Sequence, residues 1–124
     1  MKDSQINSDI VIVDDDQFQL KLLSHQLSTV GYKSVVAFDD PQTALGHMQS
    51  AKQKSTVLIL DLNMPGMDGF EFLKQLKEID FSGVILFVST KDDLLIKASE
   101  KLATAYGLET LGNLIKPVQA HQLE

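Results

Sequence analysis

Short apolar runs rich in β-branched residues recur along the chain, and each run is continuous rather than alternating. Continuous runs of this kind are typical of strands that are covered on both faces of a sheet. The pattern predicts five strands, at residues 10–13, 35–38, 57–60, 84–88 and, more weakly, 114–115.

The segments between these runs carry apolar residues every three or four positions, which is the spacing of an amphipathic helix. Gly31 is expected to end the first helix, and Asp40 with Pro41 to begin the second. The predicted buried stripes are Leu20, Leu23, Leu27 and Val30; Ala44, Leu45 and Met48; Phe72, Leu73, Leu76 and Ile79; and Leu95, Ala98, Leu102 and Ala105.

Strand and helix therefore alternate five times, with the last helix hardly begun. This alternation predicts an α/β fold, a doubly wound parallel sheet of five strands with helices on both faces. In such sheets the functional crevice lies at the carboxyl ends of the strands. The residues that follow each strand are therefore the candidates for chemistry.

Composition narrows the class of protein. A chain of 124 residues suits one domain, predicted over residues 9–124 after a flexible polar leader at residues 1–8. The net charge of −6 argues against direct binding to nucleic acid. No apolar run approaches the roughly 18 residues of a membrane span, and cysteine is absent. We therefore expect a cytoplasmic protein without disulfides.

Polar and charged residues follow the predicted strands. Because parallel strands end at one edge of the sheet, these residues are expected to meet there. The aspartates after the second strand are explained by helix capping. The others are Asp14, Asp15 and Asp16 after the first strand, Asp61 after the third, Ser89 and Thr90 after the fourth, and Lys116 after the fifth.

Carboxylates brought together in this way repel. Two unit charges about 4 Å apart cost roughly 4 kcal/mol at an effective dielectric near 20. A shared proton, the ammonium group of Lys116 or a bound divalent metal could offset that cost. Oxygen ligands without His or Cys favour a hard ion, and Mg²⁺ is the one that we expect.

A carboxylate beside Mg²⁺, with a lysine and a serine facing it, is suited to phosphoryl transfer in which an aspartate is the nucleophile. The sequence contains neither GxxxxGK[ST] nor GxGxxG. The phosphoryl donor is therefore not expected to be a bound nucleotide.

Four motifs stand in order at the ends of predicted strands: "IVDDD" at residues 12–16, "DLNMPGMDG" at 61–69, "FVST" at 87–90 and "IKP" at 115–117. With these motifs the sequence resembles a response-regulator receiver domain of two-component signalling, over residues 9–118. The resemblance implies a flavodoxin-like sheet of strand order 2-1-3-4-5. The fifth helix of that fold would here be truncated or nearly absent.

The resemblance implies that Asp61 accepts a phosphoryl group from a phosphohistidine on a histidine kinase or histidine phosphotransfer protein. Ser89 would be the switch hydroxyl that moves toward the phosphoryl group, and Lys116 would be its counter-ion. The phosphorylated domain would then switch an output domain.

The resemblance also implies a Mg²⁺ site in which Asp61 takes part. Asp15 would bind the ion directly, Asp14 mostly through water, and Asn63 through its main-chain carbonyl. Asp15 and Asp16 could be the working pair instead. We prefer Asp14 and Asp15, because they directly follow the last apolar residue of the strand.

Some positions depart from the family pattern. Asn113 stands where an aromatic residue commonly swings with the switch hydroxyl. Thr90 stands where alanine or glycine is often found, so it is expected to narrow access to Asp61. We interpret the chain as a piece of a longer regulator. The stretch "AYGLETLGNLIKPV" at residues 105–118 resembles receivers joined to cyclic-di-GMP phosphodiesterase domains of the EAL type.

Three functions from different classes are compatible with these residues. The first is a phosphorylatable receiver, and the second is a degenerate receiver that serves only as an interaction or dimerisation module. The third is a hydrolase with an aspartyl nucleophile. It is disfavoured because Asn63, rather than a second acid, stands two residues after Asp61, and because the chain has no insertion that could cap a substrate.

Overall fold

The computed structural model describes residues 9–50, 56–64, 66, 68–90, 93–116 and 118–123. Five strands form one parallel sheet in the order β2-β1-β3-β4-β5, which confirms the predicted fold class and strand order. The predicted leader at residues 1–8 lies outside the described residues. The strands are β1 Asp9–Val13, β2 Ser34–Phe38, β3 Thr56–Asp61, β4 Val84–Ser89 and β5 Glu109–Ile115.

Helices cover both faces of the sheet, and each face has its own apolar core. The α-helices are α1 Gln17–Val30, α2 Pro41–Ser50, α3 Gly69–Glu78 and α4 Asp93–Ala105. One core lies between the sheet and α2, α3 and α4. The other lies between the sheet and α1. Among the described residues, no helix is long and apolar enough to span a membrane.

A short 3₁₀ helix, Ala120–Leu123, is the last element, in line with the prediction that a fifth α-helix is nearly absent. Residues 118–123 are attached to α1 and to Tyr32, which follows that helix. Gln26 Nε2 donates to the Val118 carbonyl at 3.0 Å, and the Tyr32 hydroxyl donates to the Leu123 carbonyl at 3.1 Å. The side chains of Val118 and Leu123 are buried in the α1 core.

Two predicted details were wrong. The buried residues of α4 include Ile96, Ser99 and Ala103, whereas Ala98 and Ala105 of the predicted stripe are exposed. Apolar residues lie on most of the circumference of α4, so the spacing alone admits two orientations. The fifth strand is also longer than the two residues predicted, because its pairing with β4 extends over residues 109–115.

Local signals set the ends of the helices. The Asp16 and Asp68 carboxylates accept hydrogen bonds from first-turn N–H groups and so cap α1 and α3. Asp40 does the same for α2, as predicted. Gly31 ends α1 with a φ of 120°, a conformation that is strained for residues with a Cβ atom.

Candidate functional site

Strand register places two aspartates side by side at the carboxyl edge of the sheet. In the pairing of β1 with β3, Val13 lies opposite Leu60, so Asp14 and Asp61 are neighbours just beyond that pair. Their exposed fractions are 1% and 3%. Because a buried carboxylate without a partner is costly, this geometry requires a cation or a proton nearby.

Lys116 supplies a cation from the end of β5. Its Nζ lies 3.0 Å from Asp14 Oδ2 and 3.3 Å from Asp61 Oδ2. Its main-chain N–H donates to the Ser89 carbonyl at 2.8 Å, which extends the β4–β5 ladder to the site. The structure therefore brings Asp14, Asp61 and Lys116 together as the strand-end pattern predicts.

Burial and charge shift the protonation of these groups. Burial raises the pKa of the Asp61 carboxyl above its ordinary value, and the charge of Asp14 adds to the rise. The main-chain hydrogen bond from Asn63 and the charge of Lys116 act against it. For Lys116, burial by itself would lower the pKa, but the hydrogen bond to Asp14 and the two carboxylate charges raise it. The ammonium group is therefore held charged, while the ionised form of Asp61 is kept at a cost.

A third acid completes a cluster of oxygen ligands. One carboxylate oxygen from each of Asp14, Asp15 and Asp61 lies within 4.8 Å of the other two, and Asp15 is exposed to solvent. Oxygens on opposite sides of an octahedral Mg²⁺ lie roughly 4 Å apart, because each bond is about 2.0–2.1 Å. The ligand type suits Mg²⁺ and the oxygens lie close enough together for small shifts to bring them around one ion, while the exposed side of the cluster leaves room for the waters that this ion retains.

Asp16 has a different role from its two neighbours. Its Oδ1 accepts from the N–H of Phe18 at 2.9 Å and from that of Gln19 at 3.4 Å. Its own N–H donates to Asp14 Oδ1 at 2.9 Å and so orients that carboxylate. The geometry therefore favours Asp14 with Asp15 as the acid pair and makes Asp16 the helix cap.

Ser89 ends β4 beside the acidic cluster. In the register of β3 with β4, Asp61 lies opposite Val88, the residue before Ser89. Ser89 is fully buried, and its Oγ has no hydrogen-bond partner among the described residues. A buried hydroxyl without a partner costs stability, so its position here is consistent with a donor kept for an anionic ligand.

Asn63 contributes a contact that the sequence did not predict. Its N–H donates to Asp61 Oδ1 at 2.9 Å, and its side-chain Oδ1 accepts from the Thr90 N–H at 2.7 Å. In the sequence, an asparagine in a stretch with Gly and Pro indicates a turn, and this does not say what its side chain contacts. The metal-binding role that we expect for its carbonyl stays a prediction.

Asn113 lies on the exposed side of β5, opposite Phe87 of β4. Its Nδ2 lies 3.5 Å from Glu100 Oε2 on α4. The position that commonly holds an aromatic residue is therefore occupied by a polar side chain at the surface.

The chain matches the protein family described as "Response regulator receiver domain" over residues 10–124, and it belongs to that family. It is thus a receiver domain of response regulators, which is a regulatory phosphoacceptor. The acidic cluster of Asp14, Asp15 and Asp61 is the pocket of this domain.

Two curated relatives illustrate the similarity. The chain is 30% identical over 115 residues to the two-component response regulator ORR26 of Oryza sativa subsp. japonica, covering 92% of this chain and 18% of that protein. It is 32% identical over 88 residues to the alkaline phosphatase synthesis transcriptional regulatory protein PhoP of Bacillus subtilis, covering 71% and 35%. The chain therefore spans 35% or less of the length of these relatives.

Solved structures agree with the fold. A response regulator from Colwellia psychrerythraea superposes with a TM-score of 0.81 at 30% identity, covering 94% of this chain and 90% of that one. The chemotaxis protein CheY4 of Vibrio cholerae gives a TM-score of 0.76 at 30% identity, covering 94% and 92%.

Proposed function

We propose that Asp61 of this receiver domain accepts a phosphoryl group in a Mg²⁺-dependent reaction and so controls an output domain. The observation that carries the proposal is the paired geometry of Asp61. Its carboxylate is buried against Asp14 and lies 3.3 Å from the Lys116 ammonium group. A nucleophile in this setting is oriented and lies next to a cation that favours its ionised form and can neutralise an incoming phosphate.

In the transfer step, a carboxylate oxygen of Asp61 bonds to phosphorus as the P–N bond of a phosphohistidine breaks. The electron pair of that bond returns to the imidazole nitrogen. Lys116 stabilises the charge on the transferring group, and the unpartnered Ser89 hydroxyl donates to one of its oxygens. A phosphoryl group on Asp61 would therefore draw Lys116 and Ser89 toward itself.

Asp14, Asp15, Asp61 and the Asn63 carbonyl are the residues that would hold Mg²⁺, with three of them already clustered. When bound, the ion would neutralise oxygen charge on the transferring phosphoryl group. Within the part of the chain that the structure describes, Lys116 is the cation that contacts both buried carboxylates.

The phosphoryl donor that we propose is a histidine kinase or histidine phosphotransfer protein, whose surface must cover the rim of the pocket. Five large apolar side chains are exposed among the described residues. Three of them, Phe18, Phe70 and Leu94, stand at the second residue of α1, α3 and α4, which begin at this edge. An apolar rim around an acidic centre suits a protein donor.

The output domain is proposed from the length of the relatives and from one stretch of the sequence. The relatives named above are much longer than the matched part, which leaves room in them for further domains. An EAL-type phosphodiesterase output is supported by the resemblance of residues 105–118. We further propose a cytoplasmic location, and a homodimer stays an open alternative for the assembly.

Intact mass after incubation with a small-molecule acyl phosphate, with and without Mg²⁺, tests the proposal. We expect one phosphoryl adduct on the wild-type protein that requires Mg²⁺ and is lost in Asp61→Asn. Asp68→Asn is the matched control, because asparagine also caps a helix and the bonds of the Asp68 carboxylate to described residues are those to first-turn N–H groups. Well-folded wild-type protein without an adduct would favour the interaction module instead.

A further inference from the structure

One hydrogen bond joins the two loops that flank the acceptor aspartate. Asn63 lies in the loop after β3, and Thr90 follows β4 directly. The Thr90 N–H donates to Asn63 Oδ1 at 2.7 Å. Both residues are exposed, so this bond lies at the solvent side of the pocket and is not fixed by burial.

The main-chain donors around Asp61 differ in how easily they can change partner. The Leu62 N–H donates to the Val88 carbonyl at 2.9 Å and belongs to the β3–β4 ladder. The Asn63 N–H already donates to Asp61 Oδ1. The Thr90 N–H, in contrast, is bound by the neutral amide oxygen of an exposed side chain, which can rotate away without disturbing the sheet.

A phosphoryl group on Asp61 would bring charged oxygens to this place. Hydrogen bonds to an ionised acceptor are roughly twice as strong as those between neutral groups. Asn63 links the acceptor to this donor, since its own N–H is bonded to the Asp61 carboxylate and its side-chain oxygen to the Thr90 N–H. A phosphoryl oxygen on Asp61 would therefore compete with Asn63 Oδ1 for the same donor.

We infer that the Asn63 carboxamide is a placeholder that binds the Thr90 N–H until a phosphoryl oxygen on Asp61 takes it over. The inference rests on the proposed phosphorylation of Asp61. The covalent step is unchanged: the P–O bond to Asp61 forms, the bond from phosphorus to the donor breaks, and the leaving group keeps the electron pair. Asn63 is thus a positioning residue, and its side chain opposes the reaction that the rest of the pocket favours.

Phosphorylation rates of Asn63→Ala and wild type test this role. Removing the competing oxygen leaves only water on the Thr90 N–H, so phosphorylation by a small-molecule acyl phosphate with Mg²⁺ should be faster. One net hydrogen bond corresponds to an increase of about twofold to tenfold. Gln42→Ala is the matched control, since it removes another exposed carboxamide bridge, to Gln75 at 3.3 Å, outside the pocket. Its rate should equal that of the wild type.

Amide hydrogen exchange at Thr90 gives a second readout, which a purely structural role would not produce. Before phosphorylation, the Thr90 amide should be protected in the wild type and unprotected in Asn63→Ala. After phosphorylation it should be protected in both, because the acceptor is then the phosphoryl oxygen.

The placeholder role is overturned if Asn63→Ala is phosphorylated at the wild-type rate or more slowly. It is also overturned if the wild-type Thr90 amide loses protection on phosphorylation, a result that needs no variant to fold. Failure of wild type and Gln42→Ala to form any adduct would instead refute the phosphorylation of Asp61, and the placeholder with it. The two failures are therefore distinguishable.

Discussion

The two sides of the acidic pocket are built on strands that differ greatly in burial. Asp14 follows β1 and Asp61 ends β3, and both strands lie inside the sheet. Every residue of β3 is buried. Lys116 follows β5, an edge strand whose residues alternate between exposed and half-buried. The core therefore fixes the two carboxylates, whereas the cation stands on the strand with more freedom to move.

This difference in burial affects the stability of the pocket. Carboxylates at the ends of buried strands cannot separate to relieve their repulsion, so the pocket depends on what reaches it from the edge strand. Four predictions test the contrast between the fixed and the movable side.

Replacing Lys116 by methionine should have the largest effect on stability. The change leaves two buried carboxylates without their cation, and breaking a buried ion pair in this way costs about 3–5 kcal/mol. Urea unfolding at neutral pH without Mg²⁺ measures the loss. Lys101→Met, at an exposed position of α4, is the control and should change stability by less than about 0.5 kcal/mol. Equal stabilities of the two variants would contradict the role of Lys116.

The same truncation on a central and an edge strand compares the two sides directly. Leu58 of β3 is fully buried, and Leu114 of β5 is only partly buried. Leu58→Ala should lower the free energy of unfolding by about 2–5 kcal/mol. Leu114→Ala should cost less than half as much, because less apolar surface returns to water. Similar losses in urea unfolding would show that β5 is as firmly held as β3.

Phe18→Ala should affect transfer from a protein donor without affecting the chemistry. Phe18 is 70% exposed, so its removal should leave stability within about 0.5 kcal/mol of the wild type. Transfer from a phosphohistidine protein should slow by about tenfold, the effect of losing one apolar contact of roughly 1.4 kcal/mol. The rate with a small-molecule donor should not change. Leu111→Ala, exposed on β5, is the control that should leave both rates unchanged.

Asp61→Asn should stabilise the metal-free protein by a small amount, about 0.5–2 kcal/mol. Because the folded-state pKa of Asp61 is raised, the folded protein binds this proton more tightly than the unfolded chain. The contribution of Asp61 to stability therefore falls as pH rises from its ordinary pKa through the raised one. Asparagine does not titrate, so the gain should be largest above that window and smallest in acid.

Thermal unfolding over a series of pH values, with a chelator present, measures the gain from Asp61→Asn. Asp68→Asn should show no comparable gain, since the Asp68 carboxylate is exposed. A gain for Asp61→Asn that grows toward acid pH would contradict the assigned direction of the shift.

The centre of the sheet could be predicted from the sequence because each signal there had one interpretation. The runs before Asp14 and before Asp61 are short and apolar throughout, and their length favours strands that are covered on both faces. Strand ends then located the acids, the serine and the lysine without any knowledge of distances.

The edge of the sheet could not be predicted as well. The residues of β5 include Glu109, Gly112 and Asn113, which have low strand propensity, and they form a strand because β4 offers a partner. The orientation of α4 was missed because Leu95 and Ile96 are both apolar, and packing against the sheet selects Ile96 for burial. The Asn63 contact to Thr90 was beyond sequence patterns, since it joins loops 27 positions apart.

The strand order also bears on how the chain folds during synthesis. β1 pairs with β2 on one edge and with β3 on the other. In a chain that emerges from its amino end, β2 is available early, but the other edge of β1 stays open until Thr56–Asp61 has emerged. An unpaired edge of continuous apolar residues is a template for association with other chains. The nascent domain therefore carries this open apolar edge after β2 has formed and until the strand that carries the acceptor aspartate is complete.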